Sequence, residues 1–183
     1  SSTYRLEKNG WRGMLVEPNV KLFPSLVANR KNSILFSCAV GNVMGVMTLQ
    51  TSDAHTLGTL LNDRESYQFQ RLSRESGGIQ NIQMLPVPVM PLADILNTYR
   101  EIFDSYPDFL KIDVEGFEIQ TIESLVNTSC NPSIIEIENN ERGSDAANML
   151  LQHGYSLEIV MDSFVEIWSL RECDKKRLAR LLS

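Results

Sequence analysis

The chain has 183 residues, 43% of them hydrophobic and 22% charged, the values of an ordinary globular domain long enough to bury a core. Its 17 basic and 23 acidic residues leave a net charge of −6, and the nearest approach to a basic block is Lys175-Lys176-Arg177 with Arg180. Duplex binding needs clustered Lys and Arg, so nucleic acid is excluded as a first reading. No apolar run approaches the ~20 residues of a membrane span and no signal peptide opens the sequence, so a soluble, cytoplasmic chain without a membrane span is expected.

Strand and helix patterns alternate from the start. "SSTYRLEKNGW" reads as a helix ended by Gly10, and "RGMLVE" (Arg12 to Glu17) as a short apolar strand closing on an acid. "NVKLFPSLVAN" has Val20, Phe23, Leu26 and Val27 at helical spacing, with Pro24 an awkward guest inside it. "SILFSCAV" (Ser33 to Val40) reads as a second buried strand, Gly41-Asn42 as a turn, and "VMGVMTL" as a further strand or edge segment. Cys38, Cys130 and Cys173 are an odd number with no close pair, which suits reduced thiols and gives neither a disulfide framework nor zinc spacing.

From Gln50 to Gln83 polar residues dominate and periodicity is weak, so residues 50–83 are expected to be a variable or partly mobile insertion of the kind that serves as a lid. "MLPVPVM", with prolines at 86, 88 and 91, suits an extended edge segment. "LADILNTYREIF" returns to helical spacing, followed by strand "FLKIDV", helix "FEIQTIESLV" and strand "SIIEIE". Helix "SDAANMLLQHG" has Ser144 or Asp145 as its cap and Gly154 as its stop, and a hairpin around Asp162-Ser163 and a basic helix "DKKRLARLL" close the chain. Such alternation predicts a single α/β domain: a mostly parallel sheet with helices on both faces and a C-terminal antiparallel hairpin.

In an open α/β sheet, ligands bind beyond the carboxyl ends of the strands. Three predicted strands end there in acids: Glu17, then Asp113 with Glu115, then Glu136 with Glu138. Glu118 falls in the first turn of its helix, where the helix dipole alone accounts for a negative charge. Neither histidine fits a catalytic role, since His55 falls in the insertion and His153 at a helix end. Carboxylates by themselves name no particular ion, and no metal is expected.

"FLKIDVEGFEIQTIESL" resembles the signature of the FkbM-type S-adenosylmethionine-dependent methyltransferases, an apolar strand followed by K-I-D-x-E-G-x-E. "NGWRGMLVEPNVKLF" is similar to the same family's second-strand region, "CAVG" to its third strand end, and "ERGSDAANMLLQHGY" to its late helix. The resemblance implies a Rossmann-like methyltransferase sheet and S-adenosyl-L-methionine as cofactor. It places Glu17 on the ribose hydroxyls, Pro18 and Asn19 in the same turn, and Ser37 to Val40, with Cys38 and Ala39, near the adenine. Asp113 falls at the methyl-transfer site with Glu115 and Gly116 shaping the loop beside it. Asp113 is the first choice and Glu138 the second for the group that takes the acceptor's proton.

The implied reaction is O-methylation of a hydroxyl on a small molecule, sugar or lipid acceptor. One departure stands out: the family's first strand and glycine-rich loop have no counterpart here, which implies an amino-terminally incomplete domain. Unpaired inner strand edges would then favour a homo-oligomer. Two alternatives stay open, a non-catalytic methyltransferase-like interaction domain and a nicotinamide-dependent oxidoreductase, which also ends its second strand in an acid.

Overall fold

The structure, a computed structural model, describes residues 2–53, 55–60, 63–139, 145–161 and 164–170. Helix α1 (Ser2–Lys8) leads through Gly10, in a positive-φ turn, into strand β1 (Gly13–Val16). A 3-10 turn at Val20–Leu22 precedes α2 (Phe23–Asn29), where Pro24 sits in the first turn and so removes no intrahelical hydrogen bond. β2 (Ser33–Phe36) lies parallel to β1.

The expected single strand over 33–40 is two strands, because the chain leaves the first sheet at Ser37 and β3 (Ala39–Gly41) joins another. There β6 (Gln83–Pro91) runs between β3 and β4 (Gly45–Ser52), and β5 (His55–Thr59) closes the far edge. The proline-rich segment is therefore an inner strand. β3 covers only its Val89–Pro91 end, however, so the edge beside Pro86 and Pro88 stays open, where a missing N–H costs no ladder bond. Residues 50–83 carry the end of β4, β5 and the helix α3 (Tyr67–Glu75), which Ser66 caps by accepting the Phe69 N–H. The described residues of this segment thus include regular elements where weak periodicity had offered no pattern.

The third sheet has the order β7 (Phe109–Ile112), β8 (Ile134–Glu138), β10 (Val165–Leu170), β9 (Tyr155–Met161). Helices α4 (Leu92–Phe103), α5 (Glu118–Val126) and α6 (Asp145–Gln152) accompany it. α4 buries Leu92, Ile95 and Leu96, one apolar stripe at helical spacing, and ends at Asp104 in the left-handed region. The β9–β10 pair is antiparallel as expected, while its Asp162-Ser163 turn, the Ser144 cap and the basic carboxyl-terminal helix lie outside the described residues.

The molecule is a mixed α/β fold. Among the described residues β1–β2, β3–β6 and β7–β8 are parallel and the other four strand pairs antiparallel, so the sheets are mixed where a mostly parallel one was expected. The larger core gathers Ile112, Ile122, Ile135, Ile137, Leu150 and Trp168; the smaller gathers Leu49, Leu60, Val87, Val89 and Phe117. Val114, just past β7, packs against both, so the turn after β7 lies where the two cores meet. Among the described residues no helix is long and apolar enough to cross a membrane.

Candidate functional site

That turn is tight. Glu115 has φ 48° and Gly116 φ 106°, so two successive residues leave the ordinary right-handed and extended regions, a conformation glycine tolerates and glutamate pays for. Two bonds hold it: the Glu115 carbonyl accepts the Thr59 hydroxyl at 2.9 Å, and Glu118 reaches back to accept the Gly116 N–H at 3.0 Å. Glu118 therefore braces the turn from the start of α5.

A cavity of about 310 Å³ opens beside the turn, within the range of small-ligand sites. Glu17, Pro18, Asn19, Cys38, Ala39, Asp113 and Glu115 all line it, although they come from three separate stretches of chain. Val40, Leu49, Leu57 and Leu60 supply apolar side chains opposite these acids. Ser37 does not reach it.

Glu17 follows β1 directly. One carboxylate oxygen, Oε1, accepts the Asn19 N–H at 2.8 Å. Burial raises its pKa, the Asn19 N–H lowers it, and the nearby Asp113 charge raises it again, for a net upward shift. Asn19 is itself buried: its side-chain oxygen accepts the Lys21 N–H and its side-chain amide donates to Thr51 Oγ1 at 3.3 Å. The Cys38 thiol is pushed up to about 11 by burial, so at neutral pH it is a small apolar wall group and no nucleophile.

Asp113, Glu115 and Glu138 each bring one carboxylate oxygen within 4.8 Å of the others. Glu138 lies outside the cavity lining but belongs to this cluster. Burial lifts Glu115 most; Arg71 opposes that, the carboxylates of Asp113, Glu138 and Glu118 add to it, and its pKa reaches about 7. Burial and Asp113 likewise raise Glu138. Two cations face the cluster, Arg71 at 3.4 Å from Glu115 and Lys111 at 3.8 Å from Asp113, with Lys111 also bound to Glu136 at 2.8 Å. Within the cluster Glu115 can take up and release a proton near neutral pH, and as hard oxygen donors the three carboxylates could also hold a divalent cation.

The structure thus brings together the expected cofactor residues other than Ser37 and sets both expected proton acceptors, Asp113 and Glu138, beside them. It adds residues the sequence had not offered: Thr51, Leu57, Leu60, Thr59 and Arg71, all from the 50–83 segment. A signal for α3 was present in Ser66 followed by Phe69 and Leu72, a cap and an i, i+3 apolar pair. A family model described as "Methyltransferase FkbM domain" matches residues 1–176 of the chain. No curated protein and no solved structure matches it.

Proposed function

The chain belongs to the FkbM methyltransferase domain family, and from that premise we propose that it transfers a methyl group from S-adenosyl-L-methionine to a hydroxyl on a small molecule, sugar or lipid. The observation that carries this reading is the 310 Å³ cavity, which sets the Glu17 carboxylate opposite apolar side chains, with Asp113 and Glu115 also on its lining. Its donor set suits an adenosine. Glu17 keeps Oε2 for ribose hydroxyls while Asn19 fixes Oε1, and Cys38, Ala39, Val40 and Leu57 offer a purine the apolar contact it needs. The parallel strands β1–β2 and β7–β8, with the acids just past β1 and β7, support the finer reading of a Rossmann-like sheet.

The bound cofactor would supply a methyl group already activated by its sulfonium. The protein's part is then alignment and proton removal. Asp113, on the cavity lining, would orient the acceptor hydroxyl, and its cluster with Glu115 and Glu138 would take the proton as the C–O bond forms and the methyl–sulfur bond breaks, with S-adenosylhomocysteine as the leaving group. Glu115 suits the end of that transfer, since a carboxyl titrating near 7 can receive a proton at neutral pH and return it to water.

The test titrates S-adenosyl-L-methionine and, separately, NAD into the protein and its variants. Glu17→Ala should weaken S-adenosyl-L-methionine binding roughly ten- to a hundredfold, the loss of charge-assisted bonds to the ribose. Asp113→Asn should keep that affinity and lower turnover on the order of 10²–10⁴. Binding of NAD instead, or an affinity indifferent to Glu17, would remove the reading.

A further inference from the structure

We propose that Thr51 is a positioning residue for the cofactor, the link through which the β4–β5 hairpin sets the Glu17 carboxylate; this rests on the reading of Glu17 given above. The chain of bonds is short, and its central bond is buried. The Thr51 hydroxyl donates to the Leu57 carbonyl at 3.0 Å and accepts from the Asn19 side-chain amide at 3.3 Å, and the Asn19 N–H donates to Glu17 Oε1 at 2.8 Å. Thr51 is 1% exposed and Asn19 5%, so water does not substitute in the bond between these two side chains.

A hydroxyl is the group this position needs. It alone among side chains of that size donates and accepts at once, and both capacities are used here. The β4–β5 ladder shifts register between Thr51 and Ser52, an irregularity of the kind that re-aims a side chain next to a site. The consequence is geometric: Leu57, Gly58 and Leu60 form one wall of the cavity and Glu17 and Asn19 another, and Thr51 ties the two walls at one point.

Asn19 could not do this alone. Its side-chain oxygen is committed to the Lys21 N–H, which fixes the turn after Glu17 but says nothing about the opposite wall. With Thr51 in place, the turn and the hairpin hold one relative position. The ribose carboxylate and the apolar contact surface are then presented together, and affinity benefits from the preorganisation.

The experiment measures the dissociation constant of S-adenosylhomocysteine by calorimetry, with kcat at saturating cofactor, for Thr51→Val, Thr51→Ser, Glu17→Gln and Thr51→Val/Glu17→Gln. Thr51→Val keeps the shape and loses both bonds, so affinity should fall about two- to tenfold while kcat falls less than twofold. Thr51→Ser should restore the affinity. In the double variant Thr51→Val should add nothing to the loss from Glu17→Gln, because the residue acts through that carboxylate. If Glu17→Gln leaves affinity unchanged, the cofactor reading itself falls. If Glu17→Gln weakens binding and Thr51→Val does not, or the two losses add in full, or Thr51→Ser binds as poorly as Thr51→Val, the positioning role is overturned and the reading stands. Should Thr51→Val not fold, Thr51→Cys keeps the size with a poor acceptor and carries the same expectation.

Discussion

Glu115 is held near neutrality by a balance: burial and the carboxylates of Asp113, Glu138 and Glu118 push its pKa up to about 7, and Arg71 pulls it down. Arg71 is in turn shared with Glu75, at 3.1 Å on the same helix. A rate that depends on the ionised cluster therefore climbs as pH rises through about 7, with an apparent midpoint that belongs to the three carboxylates jointly. Removing the cation favours the protonated form, so Arg71→Ala should move that climb to higher pH. Turnover at pH 7 should drop roughly three- to tenfold and recover in alkaline buffer. A pH–rate profile of Arg71→Ala that overlays the parent profile would show that Arg71 does not govern the proton acceptor.

The turn from β7 to α5 is the element that aims these groups, and its conformation rests on Gly116 at φ 106°. An added Cβ is strained there whatever space surrounds it, so Gly116→Ala should cost about 1–2 kcal/mol and lower the melting temperature by several degrees. A thermal melt unchanged by that substitution would mean the turn relaxes at no cost.

This turn was legible in the sequence because an apolar strand ending in Asp-Val-Glu-Gly has few other readings. The helices α4 and α5 were legible for a similar reason, each burying one stripe. β4 was not. Its last four residues, Leu49 to Ser52, are all buried, so no alternation marks them, and three of the four are polar. Gln50, Thr51 and Ser52 look like loop residues in a linear reading, yet β4 is an inner strand, and at Thr51 the polar group is committed to the hairpin and the Asn19 turn. Arg71 stayed hidden because its partner lies 44 residues away, and the Asn19–Thr51 bond spans 32. Strand-end acids announce a site by local pattern, whereas the residues that position them are joined only by the fold.

Across the whole molecule, β1–β2 and the β7-to-β9 sheet are separate, and a groove of about 780 Å³ lies between β1 and β7. Every residue from Gly13 to Glu17 and from Phe109 to Val114 lines it. A strand face would contribute alternate residues only, so the groove meets the two strands edge-on. The edges can be assigned residue by residue. The Glu17 N–H donates to Phe36 on the β2 side, and successive peptide groups point to opposite edges, so those of Met14 and Val16 face the groove. The Ile134 N–H donates to the Asp108 carbonyl, so the peptide groups of Phe109 and Lys111 face it from the other side. α1 crosses between the halves: Ser2 donates to Glu136 on β8, while Glu7 receives Arg30 and Ser33 on the β2 side. With the Asn32 N–H, the Ser33 hydroxyl and Arg30 overcome the effect of burial and hold Glu7 at about 2, so that end of the crossing stays charged over the range where exchange is measured. In dilute solution, the amides of Met14, Val16, Phe109 and Lys111 should exchange with deuterium on the order of 10²-fold faster than those of Leu15, Leu110 and Ile112 within the ladders. At high concentration the same four should become protected as the molecular mass rises, because open strand edges pair with other chains. Equal protection of both sets in a sample that scatters light as a monomer would mean that the two edges are already satisfied and the groove closes in solution.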